Sequence, residues 1–130
     1  MRIIFLILGA LMLGWAAFHI HSAFAQREHF WFYVCSQGTL VISGIALVIA
    51  AKRNYRGHWS FVVGLVLLVL ASHAIGLEVD GALAAHRMVQ WSSGIFLILV
   101  AVLCGVLSLL SANELHRCSI IRENSDDNVV

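Results

Sequence analysis

The chain contains no proline, so its segments should run without proline kinks or abrupt proline stops. Charge is also scarce: 12% of the 130 residues are charged, against 61% hydrophobic. A soluble domain of this length needs more polar surface than that to cover its core. The formal net charge of +1 supplies neither a basic face for nucleic acid nor a polybasic lipid anchor. Cys35, Cys104 and Cys118 fall in different segments, without metal-ligand or redox spacing, which excludes a disulfide framework. Cys118 follows His116 and Arg117 just past the last apolar run, a position suited to palmitoylation, though a small apolar residue is the simpler account. Gly-rich phosphate loops, nucleophile elbows and Cys-x-x-Cys pairs are missing, as are internal repeats and low-complexity linkers.

What the chain does have is long apolar runs, with a mean hydropathy of +0.91. Crossing a bilayer core takes about twenty mostly apolar helical residues. Four runs meet this requirement, at about 3–24, 30–51, 59–77 and 88–110. The connections between them are short, so consecutive helices should be antiparallel neighbours. The predicted fold is therefore all-α, an integral membrane up-down four-helix bundle in residues 1–111. Residues 112–130 read as a polar cytoplasmic tail, with disorder expected over 122–128.

Basic residues set the predicted orientation. Arg2, Lys52, Arg53, Arg56, Arg117 and Arg122 fall on one side, and Arg27 and Arg87 on the other. The richer side should be cytoplasmic, which places both termini there. Trp31, Tyr33 and Trp91 near the outer boundary, with Tyr55 and Trp59 near the inner one, fit that arrangement. A bacterial inner membrane is the expected location. Ala23-Phe24-Ala25 has the small-x-small form of a signal-peptidase site, but the preceding run is long and ends in bulky residues, so the first helix is expected to be retained.

In lipid, small residues mark the faces through which helices approach closely. Such rows occur at Ala10, Gly14, Ala17 and His21; at Ser36, Thr39, Ser43, Ala46 and Ala50; at Ser60, Gly64, Leu67, Ala71, Ala74 and Glu78; and at Gln90, Gly94, Leu97, Ala101, Cys104 and Ser108. If the rows face one another, His21, Glu78 and Gln90 converge at the outer mouth, with Arg87 a turn beyond.

That outer end is rich in ionisable groups: His19, His21, His29, His73, His86, Glu28, Glu78 and Asp80. Intramembrane ionisable residues are costly and mark candidate functional sites, although side chains near an interface can snorkel to water. The simplest account is that these residues hydrogen-bond across helices and anchor the outer interface. A sharper one makes His73, with His19 or His21 opposite, the axial ligands of a b-type haem. Another makes His21, His73, Glu78 and His86 the ligands of a divalent metal. A third is a small transporter whose polar path is lined by Gln37, His73 and Glu78. The expected function is a non-enzymatic accessory or self-associating subunit of a membrane complex. Its partners would be the lipid bilayer and another membrane protein or a second copy, and no nucleic acid.

Overall fold

The computed structural model describes residues 2–25, 29–53, 55, 59–85 and 93–127. They form four α-helices, α1 (Arg2–Ala25), α2 (Phe30–Lys52), α3 (Trp59–Ala84) and α4 (Ser93–Asp127). All four are long and apolar enough to cross a membrane. Large aliphatic and aromatic side chains cover their outer surfaces, with Phe18 at 79%, Phe24 at 80% and Ile3 at 72% exposure. In water such a surface would be an aggregation hazard, whereas a helix apolar all round suits lipid.

The helices associate in chain order, each antiparallel to the next. Gly9 faces Val48 while Leu13 faces Gly44; Ser72 and Gly76 meet Cys35 and Phe32; Gly64 meets Leu109 while Leu68 meets Gly105. Backbones come close between α1 and α2, α2 and α3, and α3 and α4; among the described residues α1 and α4 have no such approach. Side chains of α1 and α3 do meet over α2. Phe5 and Leu65 pack with Leu47, Ala50 and Ala51 at one end, and Ala16 and Val69 pack with Leu40 nearer the other. The Phe5 and Phe61 rings lie 5.8 Å apart. The core is therefore shared by α1, α2 and α3, and α4 is attached along α3.

The first and third interfaces share one device. A Cβ at Gly9 would lie 2.9 Å from the Gly44 carbonyl oxygen, and one at Gly44 would lie 2.8 Å from Leu13 Cγ. Correspondingly, a Cβ at Gly64 would lie 2.9 Å from the Gly105 oxygen and 2.8 Å from Leu109 Cγ. In each hairpin two glycines face each other, and the aliphatic residue four positions after one covers the other. This equivalence escapes inspection of the sequence because it needs only Gly-x-x-x-Leu or Gly-x-x-x-Val on each helix.

Packing departs from the expected small-residue rows on α1 and α4. Ala10, Gly14, Ala17 and His21 are exposed, and α1 instead buries Phe5, Gly9 and Ala16. Two rows of small residues run along this helix. The one that wins also carries Phe5, which fills the space beside Phe61, so it buries far more apolar area. On α4 the buried positions are Gly105 and Ala112, while Leu97 and Cys104 are exposed, a shift of about one residue around the helix. The rows on α2 and α3 pack largely as expected: Ser36, Ser43 and Ala50 are buried on α2, and Gly64 and Ala71 on α3.

Two helices run further than their apolar stretches. α3 continues past Leu77 to Ala84, and α4 continues to Asp127 where disorder was expected. Neither extension meets a proline, and α4 has no glycine after Gly105, so nothing in the local sequence stops the helix. Glu114 and Arg117 also pair at 3.4 Å on an exposed face, an i,i+3 contact that supports the helix slightly.

Gly76 marks the tightest interface. A Cβ there would sit 2.6 Å from Phe32 Cα, against backbone that cannot swing aside, whereas one at Gly14 would meet nothing within 4 Å. Gly76→Ala should therefore lower stability by about 1–3 kcal/mol through overpacking. Gly14→Ala should be neutral or stabilising by up to about 1 kcal/mol. Thermal unfolding in detergent, followed by tryptophan fluorescence, distinguishes the two.

Candidate functional site

The contact that Gly76 permits brings the N-terminus of α2 onto the side of α3. A helix begins with backbone N–H groups that have no partner inside it. On α2 the residue before the helix, His29, supplies no side-chain cap. Asp80, one turn beyond Gly76 on the same face of α3, takes that role. The Trp31 N–H donates to Asp80 Oδ1 at 3.1 Å, and the Phe32 N–H donates to Oδ2 at 2.8 Å. One carboxylate thus satisfies two orphan donors and places its negative charge at the positive end of the helix dipole. Asp80 is only 7% exposed, so this arrangement resolves a buried charge that would otherwise be costly.

The same interface continues inward as a chain of polar contacts. The Ser72 hydroxyl donates to the Cys35 carbonyl at 2.7 Å, which ties α3 to α2 one turn below Gly76. The Thr39 hydroxyl also reaches the Cys35 carbonyl, at 2.8 Å, along α2 itself. His73 Nδ1 lies 2.9 Å from the Val69 carbonyl, one turn back along α3. A carbonyl can only accept, so Nδ1 is the donor in this bond and Nε2 is the ring nitrogen it leaves unused. The imidazole packs edge-on to Phe32, with ring centroids 5.6 Å apart. Beside Asp80, His29, Phe30, Trp31, Leu77 and Leu83 line a cavity of about 570 Å³.

The sequence-predicted site residues are dispersed over this end. His19 is half-buried and lies against its own helix neighbours Trp15 and Phe18, at centroid distances of 4.6 and 5.1 Å. His21 is exposed, on the face of α1 that packs against nothing described, so it does not join Glu78 in a shared mouth. Glu78 is half-buried and faces α4 instead of α2. Glu28, His86, Arg87 and Gln90 lie outside the described residues. Among those described, no group of three or more His, Cys, Asp or Glu side chains converges as a metal site would require. Gln37 Oε1 is buried without a hydrogen-bond partner there.

A second polar group stands at the opposite end. Tyr55 packs with its ring tilted against Phe61, at 5.0 Å, and His116, at 4.3 Å, and burial pushes its phenol above the usual tyrosine range. The α2 terminus here is closed by backbone bonds from Arg53 N–H to the Ile49 carbonyl and from Tyr55 N–H to the Ala50 carbonyl.

Asp80 was legible only as one of several outer acids; its partners are backbone amides 48 and 49 positions away, which no side-chain pattern announces. Family models, curated proteins and solved structures offer no match to the chain. The site is thus defined by its geometry, which has a direct consequence for stability. Asp80→Ala strands two partly buried N–H groups and should cost about 1–3 kcal/mol, while Asp80→Asn, which can still accept one of the two bonds, should cost roughly half as much. Chemical or thermal unfolding of both variants in one detergent reads the ranking.

Proposed function

We propose that the chain is a small multi-pass membrane protein with no catalytic role, serving as a laterally associating subunit with itself or with another membrane protein. The observation that carries this reading is the open face of α1. Ala10, Gly14 and Ala17 form a row of small residues that packs against no described part of the chain, and Gly14 has nothing within 4 Å of its Cβ position. In lipid, where apolar area alone does not drive helices together, such a face allows the close backbone approach on which association depends. The same device already operates inside the molecule at Gly9–Gly44 and Gly64–Gly105.

Helix length supports insertion. α3, with 26 residues, is about 39 Å long at 1.5 Å per residue. A hydrocarbon core is about 30 Å thick, so the turns bearing Glu78 and Asp80 reach the interface. The excess of Lys and Arg at the other end orients that end toward the cytoplasm, together with both termini. A bacterial inner membrane is the setting we infer.

The haem reading has one observation in its favour: the His73 hydrogen bond leaves Nε2 open, the orientation a ligating imidazole adopts when a carbonyl holds its other nitrogen. It needs His19 or His21 to supply the opposite ligand, and the exposure of His21 makes this the weaker account.

Cross-linking in native membranes tests the association. In a background with the three native cysteines replaced by serine, Gly14→Cys should cross-link to a second copy or to one defined partner. Gly14→Leu should abolish complex formation, because a branched side chain blocks the approach. A protein that remains monomeric and uncross-linked in native membranes contradicts the proposal.

A further inference from the structure

Glu78 precedes Asp80 by two residues, about 200° around the helix, and so faces α4 while Asp80 faces α2. Its environment differs in kind. Asp80 is consumed by the end of α2; Glu78 has neither a hydrogen bond nor an ion pair among the described residues. Its own helix and the facing part of α4 offer no counter-charge: residues 59–85 and 93–116 contain no Lys or Arg.

The carboxylate stands at the outer end of a cleft of about 370 Å³ between α3 and α4. Every other lining residue is aliphatic, among them Leu70, Ala74, Leu77, Leu97, Ile98 and Ala101. The cleft has a structural origin. α3 and α4 touch most closely at Gly64 and Gly105, and further outward the facing residues Ala71, Ala74 and Ala101 are too small to fill the space between them. The result is an apolar trough of small-ligand size with a single anion at one end that is unpaired among the described residues.

We propose that this cleft binds a lipophilic organic monocation, a substituted ammonium or phosphonium, with its charge on Glu78 and its apolar groups between α3 and α4. Charge complementarity selects this occupant. A lipid acyl chain would satisfy the aliphatic walls but leave the carboxylate without a counter-ion. Among its described residues, a helix from a second copy would bring no cation to this depth, because Arg2, Lys52, Arg53, Arg117 and Arg122 all lie at the other end of the bundle. An unpaired carboxylate beside an apolar wall is the arrangement that a bulky, weakly hydrated cation matches, since little hydration is lost on entry. The site is separate from the α1 face and does not depend on association through it.

Equilibrium dialysis of tetraphenylphosphonium against the full chain in detergent tests the proposal. Binding should be saturable and at least about tenfold weaker in Glu78→Gln, which loses the charge-assisted contact while keeping the side chain's shape. Ala74→Phe, which fills the trough and leaves the charge in place, should weaken it by about the same factor. Neutral triphenylphosphine oxide should compete at least about tenfold less well than the phosphonium. A measurement on the unmodified protein removes dependence on variant folding: carbodiimide labelling of Glu78, read by mass spectrometry, should slow under saturating tetraphenylphosphonium, while labelling of Asp126 and Asp127 continues at an unchanged rate. Equal affinity in Glu78→Gln, equal competition by the neutral compound, or a Glu78 that labels equally fast with and without the cation would each overturn it.

Discussion

Two backbone amides and one carboxylate set the geometry of this molecule. The bonds from Trp31 and Phe32 to Asp80 do more than close the end of α2. They fix where along α3 that helix begins, and so fix the register of the interface between the two hairpins. Gly76 is the companion requirement, because the carboxylate can reach the amides only if the α2 backbone lies against α3 without an intervening side chain. The Ser72–Cys35 bond then holds the same register one turn further in. In a setting that offers little water, each of these polar groups would be costly alone, and together they satisfy one another.

On either side of that junction the two hairpins are built alike, each closed by a facing pair of glycines with an aliphatic residue lying over the partner glycine. α2 and α3 each present one face to their own hairpin partner and another to each other. α1 and α4 are outermost, and their remaining surfaces carry the features from which function is inferred. A row of small residues on α1 faces outward, and α4 forms one wall of a trough whose only charge among the described residues is Glu78. Among the described residues, the surfaces the chain offers are helix faces and the clefts between them. The lateral association and the capture of an apolar cation proposed above would use two different outer surfaces and would not compete.

Much of the architecture was legible in the sequence, because it rests on local properties. Apolar runs without proline, separated by short polar breaks, predict four antiparallel helices, and the first two begin and end within about a residue of expectation. The ends of α3 and α4 were less legible, since a polar residue ends an apolar run without ending a helix. Small-residue rows predicted the packed faces of α2 and α3, but on α1 two such rows compete, and the choice depends on Phe5 meeting Phe61 from a distant segment. The outer polar layer was recognisable as a set, yet its working member was not. Asp80 looked like any interfacial acid, because its partners are main-chain groups whose availability follows from where α2 starts. Glu78 was identified as a candidate, and its neighbours among the described lining residues are aliphatic side chains of α3 and α4.

If the α2–α3 junction governs the fold, it must govern the local exposure of the α2 backbone as well. Amide hydrogen exchange, resolved by residue in detergent micelles, measures this directly at Trp31 and Phe32. The account predicts that both amides are protected in the wild-type chain although they belong to the first helical turn, where amides ordinarily exchange fast. In Asp80→Ala, which removes both acceptors, that protection should fall sharply at these two positions and stay unchanged at Leu47 and Val48. Rapid exchange at Trp31 and Phe32 in the wild type, or equal protection in the variant, would contradict the claim that Asp80 holds the helix in place.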